Sequence, residues 1–468
     1  MISVFDIYKI GLGPSSSHTF GTMVASNMFR DYLIDNKLIA KVCCIEIHLY
    51  GSLALTGYGH GTCLSIELGL EGYTPNGITP QNVAKEKDRI YSEQTLILQR
   101  DKNGNAIKII PYKKEIHRQF HYEQLPYHSN GLKFVAFDEL HNVVYENTYY
   151  SVGGGFVLTD DDVKSGKTIQ AKKSKYEFKS FAELMKICQE NQKTIYDIIL
   201  ENELENYTKK EIDEKVQEIV AVMNDTIENG LSREGLLQGI IKLPYRASVL
   251  KKKLEKQEKE NKTKSNDLNV FNVFDYVNMW ALAVSEENAS FGRVITAPTN
   301  GACGVIPAVI KFIQHFQPEL YTLENLKKFI FVSGVIGILC KMNATISGAE
   351  GGCQAEIGSA CAMASAGLTA LYGGTDLQIE NSAVIGLVHN FGLTCDPVAG
   401  FVQVPCIERN AVNAIKAIHS SRMAMMEEKS AFVRLDSAIL TMKQCGDDMH
   451  CKYRETSQGG LAVNCPLS

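Results

Sequence analysis

The chain has 468 residues, of which 45% are hydrophobic and 22% charged, a composition that supports a buried core and excludes a largely disordered protein. Its formal net charge of -5 gives no electrostatic reason to expect nucleic acid or an anionic membrane as a partner. The first residues show no basic segment followed by an apolar run, so we expect a cytoplasmic protein whose 13 cysteines are reduced thiols or metal ligands.

Side-chain alternation predicts strands in the first third of the chain. In Val42–Leu49, three aliphatic residues fall on one face and polar residues on the other. The runs Thr95–Gln99 and Ala106–Ile110 flank an Asn-Gly pair that tolerates positive φ, which predicts a hairpin. The other predicted elements are strands over Glu115–Tyr122, Lys133–Phe137 and Val143–Tyr150, and helices around Thr22–Asn36 and Pro80–Ser92. Residues 1–170 are therefore predicted to form a small α+β domain.

The period becomes helical from Ser180 onward. Phe271–Met426 is rich in Ala, Gly, Val, Ile and Cys, which predicts buried helices joined by Gly/Pro loops. Its most apolar stretch, Phe329–Met342, is shorter than the ~20 residues of a membrane span and is predicted to be a core helix. The mixed-charge run Lys251–Lys264 is predicted to be a solvated helix end and loop. We expect residues 171–468 to form an all-α helical domain.

Three Gly/Pro-rich loops contain residues suited to chemistry. Gly11–Thr19 precedes a helix, where hydroxyls and backbone N–H groups suit a carboxylate or phosphate, although a plain Ser N-cap explains the same residues. In Gly59-His60-Gly61 the flanking glycines allow close backbone approach and predict an exposed imidazole that can act as a general base, against the alternative of an ordinary loop histidine. Thr296–Gly304 is either an anion-binding loop or a helix entry with a small buried Cys303.

The cysteines show no C-x-x-C pair, so neither a zinc ribbon nor a ferredoxin-type cluster is indicated. Cys353, Cys395 and Cys406 lie in predicted loops, where ligands can converge, with spacings of 42 and 11 residues. Buried thiols with no ligand role are the alternative that spacing alone leaves open.

Several segments together resemble one family, the iron–sulfur L-serine dehydratases of the single-chain bacterial type. They follow the family's order along nearly the whole chain: Gly13–Thr19, Gly51–Gly57, Gly59–Thr62, Ser151–Phe156, Thr296–Pro307, Glu350–Gly358, and Cys395–Gly400 with Cys406–Asn410. The resemblance implies an N-terminal α+β domain and a helical catalytic domain holding a [4Fe–4S] cluster.

The resemblance also implies roles for individual residues. Cys353, Cys395 and Cys406 match the cluster ligands, and His60 matches the catalytic base. His18 belongs to the substrate-binding segment and is the second candidate catalytic residue. Cys465 is the candidate fourth ligand, although three residues follow it, whereas the family's cysteine lies at or next to the end. Tyr58 and Cys63 also depart from the family pattern, where Lys and Asp are common. The candidate substrate-binding residues are Ser15, Ser16, Ser17, Thr19, Thr62, Asn300 and Gly301.

The implied reaction is the conversion of L-serine to pyruvate and ammonia in serine catabolism and gluconeogenesis, without pyridoxal phosphate, by a homodimer. Hydroxide is a poor leaving group, and a Lewis-acid iron with an open coordination position would assist its departure. Two alternatives stay open: an iron–sulfur hydro-lyase that acts on a hydroxy acid, and a non-catalytic sensor of amino acids or redox state.

Overall fold

We describe a computed structural model of the chain, which defines residues 1–166, 172–261, 270–429 and 432–465. A mixed α/β region over about residues 1–160 is followed by a helical region over about residues 180–450. This order confirms the predicted fold class, an α+β region followed by an all-α region.

The N-terminal region alternates short helices with strands. In chain order it contains α1 (Val4–Ile7), β1 (Ile10–Leu12), α2 (Gly21–Asp35), β2 (Cys44–Tyr50), α3 (Ser52–Thr56), α4 (Thr62–Leu70), α5 (Pro80–Glu93), β3 (Thr95–Arg100), β4 (Ala106–Pro111), α6 (Lys114–His117), β5 (Arg118–His121), β6 (Gly131–Phe137), β7 (Val143–Ser151), β8 (Val157–Thr159) and α7 (Asp160–Lys164).

Five of these strands form one sheet in the order β5-β2-β6-β7-β8, in which β5 runs parallel to β2 and the other pairs are antiparallel. The buried residues of β2 alternate with partly exposed ones, because successive side chains of a strand point to opposite faces. Helix α2 covers the buried face, where the Phe29 ring lies 5.1 Å from that of Phe134 and 5.4 Å from that of Tyr145.

The predicted hairpin is confirmed as the β3–β4 pair. Gly104 in its turn has a φ of +85°, and the Asp101 carboxylate accepts hydrogen bonds of 2.8 Å from the N–H groups of Asn103 and Asn105. The strand predicted over Glu115–Tyr122 is partly wrong. Its first residues form α6, whose turn is closed by a 2.8 Å hydrogen bond from the Lys113 N–H to His117 Nδ1, and only Arg118–His121 pairs in the sheet.

The C-terminal region is built from long helices. It contains α8 (Phe181–Asn191), α9 (Ile195–Leu204), α10 (Lys209–Ser232), α11 (Ala247–Asn261), α12 (Val270–Ala289), β9 (Arg293–Ile295), α13 (Val305–Phe316), α14 (Leu323–Asn343), α15 (Gly348–Gly351), α16 (Ser359–Leu371), α17 (Asp376–Val388), α18 (Cys406–Met425), α19 (Leu435–Asp448) and α20 (Leu461–Asn464). The basic run predicted to be solvated enters α11, and its residues 262–264 lie outside the described part of the chain.

The apolar stretch 329–342 lies in α14, at the centre of the helical core. Most of its side chains are fully buried against α16 and neighbouring helices, which confirms the predicted core helix. Among the described residues, no helix is long and apolar enough to cross a membrane.

The start of the chain joins the two regions. Val4 and Ile7 of α1 pack in the helical core beside α14, so the first residues belong to that core and not to the α+β core. Strand β1 then pairs antiparallel with β9 from the helical region. This pairing fixes the loop after β1 against the helical region, and the candidate site lies there. The domain division near residue 170 stays a prediction, since residues 167–171 lie outside the described part of the chain.

Candidate active site

A small cavity lies between the two regions. The N-terminal region contributes Pro14, Ser15 and His60 to its wall. The helical region contributes the other lining residues, which are Gly301, Cys353, Glu356, Ile357, Cys395, Pro397, Val402, Cys406 and Glu455. The cavity therefore brings the candidate base together with all three candidate cluster cysteines, although they lie far apart in sequence.

The loop after β1 enters this cavity through a π-helical turn over Ser16–Phe20. Ser15 caps the turn, because its side-chain oxygen accepts a hydrogen bond of 3.2 Å from the His18 N–H. Of the predicted substrate-binding serines, Ser15 lines the cavity, whereas Ser16 and Ser17 are buried beside it. Thr19 has a supporting position, since its hydroxyl donates a 2.6 Å hydrogen bond to the His60 carbonyl oxygen.

His60 lies in the loop between α3 and α4, and its side chain is only 1% exposed. The sequence interpretation of an exposed imidazole is therefore wrong. The glycines beside His60 instead allow the helical region to approach: a Cβ on Gly59 would lie 2.4 Å from the Gly400 carbonyl oxygen, and a Cβ on Gly61 would lie 2.3 Å from the Phe291 ring. Close packing across the interface buries the imidazole in the cavity wall.

His18 is fully buried next to His60, with 4.5 Å between the two ring centroids. Its Nδ1 lies 2.9 Å from the Ser17 hydroxyl, and its Nε2 lies 3.1 Å and 3.0 Å from the hydroxyls of Ser52 and Thr56. Burial lowers the pKa of His18 to about 4, so its imidazole is neutral at physiological pH. His18 is thus a neutral member of a hydroxyl network that supports the His60 loop.

Glu455 is a cavity residue that sequence reasoning missed. Its Oε1 lies 3.2 Å from His60 Nε2 and 3.8 Å from His18 Nδ1. Although burial raises the pKa of a carboxyl group, the neighbouring His18 and His60 hold the pKa of Glu455 below its usual value. One sequence feature could have drawn attention to Glu455. It is the single acidic residue in Glu455–Gly460, a run otherwise made of small or uncharged polar residues.

The three cysteines form another part of the wall. All three are buried and carry free thiols, in two loops and at the N-terminus of α18. Hydrogen bonding from the Cys395 thiol, with a further contribution from the nearby Arg409 guanidinium, outweighs burial and lowers the pKa of Cys353 to about 7. The same hydrogen bond and burial raise the pKa of Cys395. Arg409 itself donates a 2.6 Å hydrogen bond to the Thr394 carbonyl oxygen, which fixes it beside these thiols.

Glu356 is a second cavity carboxyl group that sequence reasoning missed. Its Oε1 accepts a 2.7 Å hydrogen bond from the Thr299 hydroxyl, and its ligand atom lies within 4.8 Å of the Cys353 and Cys395 thiols. Removal from bulk water raises the pKa of Glu356 well above its usual value. Two small residues leave room for this side chain, because a Cβ on Gly301 or Gly348 would lie less than 3 Å from its carboxyl oxygens.

The remaining candidate residues differ in placement. Gly301 lines the cavity, and Asn300 supports the same loop by donating hydrogen bonds to the Leu12 carbonyl oxygen (3.1 Å) and to Asn288 Oδ1 (3.0 Å). Thr62 is fully buried, and its hydroxyl has no hydrogen-bond partner among the described residues. Cys465 directly follows α20 and is exposed. Its assignment as a fourth ligand stays a prediction.

Two of the departures from the family pattern, Tyr58 and Cys63, lie outside the cavity wall. Tyr58 is 85% exposed and packs edge-on against the Phe401 ring, with 6.3 Å between centroids. Burial raises the pKa of Cys63 to about 11, which makes it an unreactive thiol.

The residues of the thiol wall fit an iron–sulfur cluster. Three buried, unoxidised thiols face one cavity, and thiolates are the ligands of such clusters. The Arg409 guanidinium supplies positive charge next to them. Three protein thiolates would leave one iron of a four-iron cluster without a protein ligand.

Comparisons with known proteins agree with this arrangement. Family models described as the serine dehydratase beta chain and alpha chain match residues 3–162 and 190–462. The L-serine dehydratase TdcG of Escherichia coli K12 is 46% identical over 463 residues, which cover 99% of both chains. The L-serine dehydratase of Streptomyces coelicolor is 42% identical over 99% of both chains, and that of Helicobacter pylori is 40% identical over 98% of both. Because the two models together match more than half of the chain and the relatives align over nearly its full length, the chain belongs to the serine dehydratase family.

Proposed function

We propose that this protein is an L-serine ammonia-lyase that converts L-serine to pyruvate and ammonia in a cavity holding a [4Fe–4S] cluster. Full-length similarity to three proteins named L-serine dehydratase supports the reaction and the substrate. The observation that carries the mechanism is the shared cavity, whose wall contains His60 together with Cys353, Cys395 and Cys406.

In this proposal the three thiolates hold the cluster, which supplies a Lewis acid for departure of the serine hydroxyl when it is bound. His60 lines the cavity and accepts the α-proton of serine at Nε2, because Nδ1 bonds to the Thr56 carbonyl oxygen at 3.0 Å. Ser15 and the backbone of Gly301 line the same space and in this proposal orient the substrate carboxylate. The resulting enamine tautomerises and hydrolyses to pyruvate and ammonia.

The burial of His60 supports a role as base. A serine bound in the cavity is shielded from bulk water, so the proton transfer occurs between fixed groups rather than through solvent. His18 is neutral and its ring nitrogens are occupied by hydroxyls, which favours a structural and substrate-positioning role for it over that of the base.

The central test is turnover by the chain purified without oxygen. We expect release of equal amounts of pyruvate and ammonia from L-serine, about four iron and four sulfide per chain for the proposed cluster, and no dehydration of L-malate. Dehydration of malate without serine turnover would favour a hydroxy-acid hydro-lyase, and a bound cluster with no turnover of either would favour a sensor. Sedimentation of the same sample tests the proposed homodimer, and cell fractionation tests the cytoplasmic location.

A matched pair of histidine variants tests the base. His60→Ala should lower kcat by about 100-fold or more, within the range expected for loss of a general base, with unchanged iron content. His18→Ala should mainly raise KM. Normal turnover by His60→Ala would move the role of base to another residue.

A further inference from the structure

The ring of His60 has oxygen atoms at both nitrogens. Nδ1 lies 3.0 Å from the Thr56 carbonyl oxygen, and Nε2 lies 3.2 Å from Glu455 Oε1. A carbonyl oxygen only accepts hydrogen bonds, so Nδ1 must carry the hydrogen of a neutral imidazole. Nε2 is therefore the nitrogen that gains and loses a proton, and Glu455 is the side chain beside it.

Two hydrogen bonds of its own backbone fix the position of Glu455. Its N–H donates a 2.7 Å hydrogen bond to the Cys395 carbonyl oxygen, and its own carbonyl oxygen accepts a 2.6 Å hydrogen bond from the Ser52 hydroxyl. Ser52 begins α3, the helix that leads into the His60 loop. The segment around Glu455 thus connects a candidate cluster loop with the loop of the candidate base.

The conformation of Glu455 is itself unusual. Its φ of +57° lies in the left-handed region, which side chains other than glycine adopt at a cost in free energy. The residue is only 4% exposed, and its Oε2 has no hydrogen-bond partner among the described residues. A buried carboxylate with a strained backbone and an oxygen that lacks a hydrogen-bond partner among the described residues lowers the stability of the fold. Its contact with the candidate base explains its position.

We infer that Glu455 is the positioning residue of His60: its carboxylate lies beside Nε2 and stabilises the imidazolium that forms when the α-proton of the substrate is taken up. In that step the C–H electron pair stays with the substrate carbon, the proton moves to Nε2, and the new positive charge lies 3.2 Å from the Glu455 carboxylate. The inference rests on the proposed function, because it concerns the same proton transfer.

Three variants test the role. Glu455→Gln keeps the shape of the side chain, but its amide can donate an N–H to Nε2 and occupy the lone pair that must accept the proton. Glu455→Asp keeps the carboxylate one methylene further away. Asp448→Asn, an exposed acid at the end of α19, is the matched control for loss of a negative charge.

We expect Glu455→Gln to lower kcat by about 100-fold with little change in KM, Glu455→Asp to retain more kcat than Gln, and Asp448→Asn to behave as the parent. With L-serine deuterated at the α-carbon, the kinetic isotope effect on kcat should be larger in both Glu455 variants than in the parent, because proton removal becomes slower relative to other steps. Iron and sulfide content should not change.

Other outcomes overturn the inference. A Glu455→Gln enzyme with normal kcat and a raised KM would make Glu455 a substrate-binding group, and an unchanged isotope effect in both variants would separate it from the proton transfer. If Glu455→Gln fails to fold or loses iron, Glu455→Asp decides by the same isotope effect. A parent chain that does not turn over serine overturns the proposed function and this inference together, whereas normal parent turnover with normal kcat in Glu455→Gln overturns this inference alone.

Discussion

Two sets of carboxyl groups, all buried except the partly exposed Glu356, are partnered in different ways. In the α+β region, Glu67 pairs with Arg118, and Glu71 pairs with both Arg89 and Arg100 while accepting a hydrogen bond from the Ile97 N–H. In the cavity, Glu356 and Glu455 have no Lys or Arg within ion-pair distance in the described part of the chain; their partners are the Thr299 hydroxyl and two histidines.

This difference in partners distinguishes carboxyl groups that stabilise the fold from carboxyl groups that take part in the reaction. A carboxylate removed from water is stable in the fold when a guanidinium neutralises it, as at Glu67 and Glu71. In the cavity, by contrast, the two carboxyl groups lie beside the His60 imidazole and three thiols without a neutralising cation among the described residues. They can therefore interact with a bound ligand. Substitutions in the first set should therefore change stability, and substitutions in the second set should change turnover.

The largest effect on stability is expected from Arg118→Met. This change leaves the fully buried Glu67 carboxylate without its cation, and breaking a buried pair in this way costs about 3–5 kcal/mol. Urea unfolding should show that loss, while the fraction that remains folded keeps the parent kcat for serine. Lys164→Met, which breaks an exposed pair with Asp160, is the control and should change the free energy of unfolding by less than about 1 kcal/mol. A loss of kcat without destabilisation in Arg118→Met would contradict the comparison.

Glu356→Gln should show the opposite pattern. An amide keeps the shape of the carboxyl group but cannot exchange a proton with a bound substrate, so kcat should fall by about 100-fold. The melting temperature should stay the same or rise, because the substitution removes an ionisable group that has no cation at ion-pair distance among the described residues. Calorimetry measures the melting temperature and the pyruvate assay measures kcat, both on one preparation. A variant that is much less stable but retains kcat would place Glu356 with the structural carboxylates.

The smallest effect is expected from Cys465→Ser, which tests the predicted fourth ligand. If the exposed Cys465 thiol reaches the open iron in the resting enzyme, the variant should lose activity in air a few times faster and show a shorter lag before steady turnover. Replacement of the exposed Cys451 by Ser is the control. Equal air lifetimes and lags for parent and variant would remove Cys465 from the ligand set and leave a small molecule on that iron.

The sequence predicted much of the fold because its patterns are local. Alternation identified β2 and the β3–β4 hairpin, and the apolar run in α14 identified a core helix. The β1–β9 pair was missed, since three-residue strands carry little pattern and their pairing depends on segments almost 300 residues apart. The packing of α1 in the helical core was missed for the same reason.

The site was predicted to a similar extent. Resemblance to a family supplied His60 and the three cysteines, and the structure places all four on one cavity. The burial of His60 was not predicted, because it depends on the helical region approaching Gly59 and Gly61. Glu356 and Glu455 were missed because a lone acidic residue has no distinctive sequence context until the fold brings it next to a histidine or a thiol.

The claim that the cavity holds a catalytic cluster is tested most directly by replacing its thiols one at a time. Cys353→Ala, Cys395→Ala and Cys406→Ala, purified without oxygen, should each lack the visible absorbance of the cluster and release no pyruvate from L-serine. Cys361→Ala, which removes a buried thiol of α16 outside the cavity, should retain both. A Cys395→Ala protein with full cluster absorbance and parent turnover would contradict the ligand assignment and the mechanism built on it.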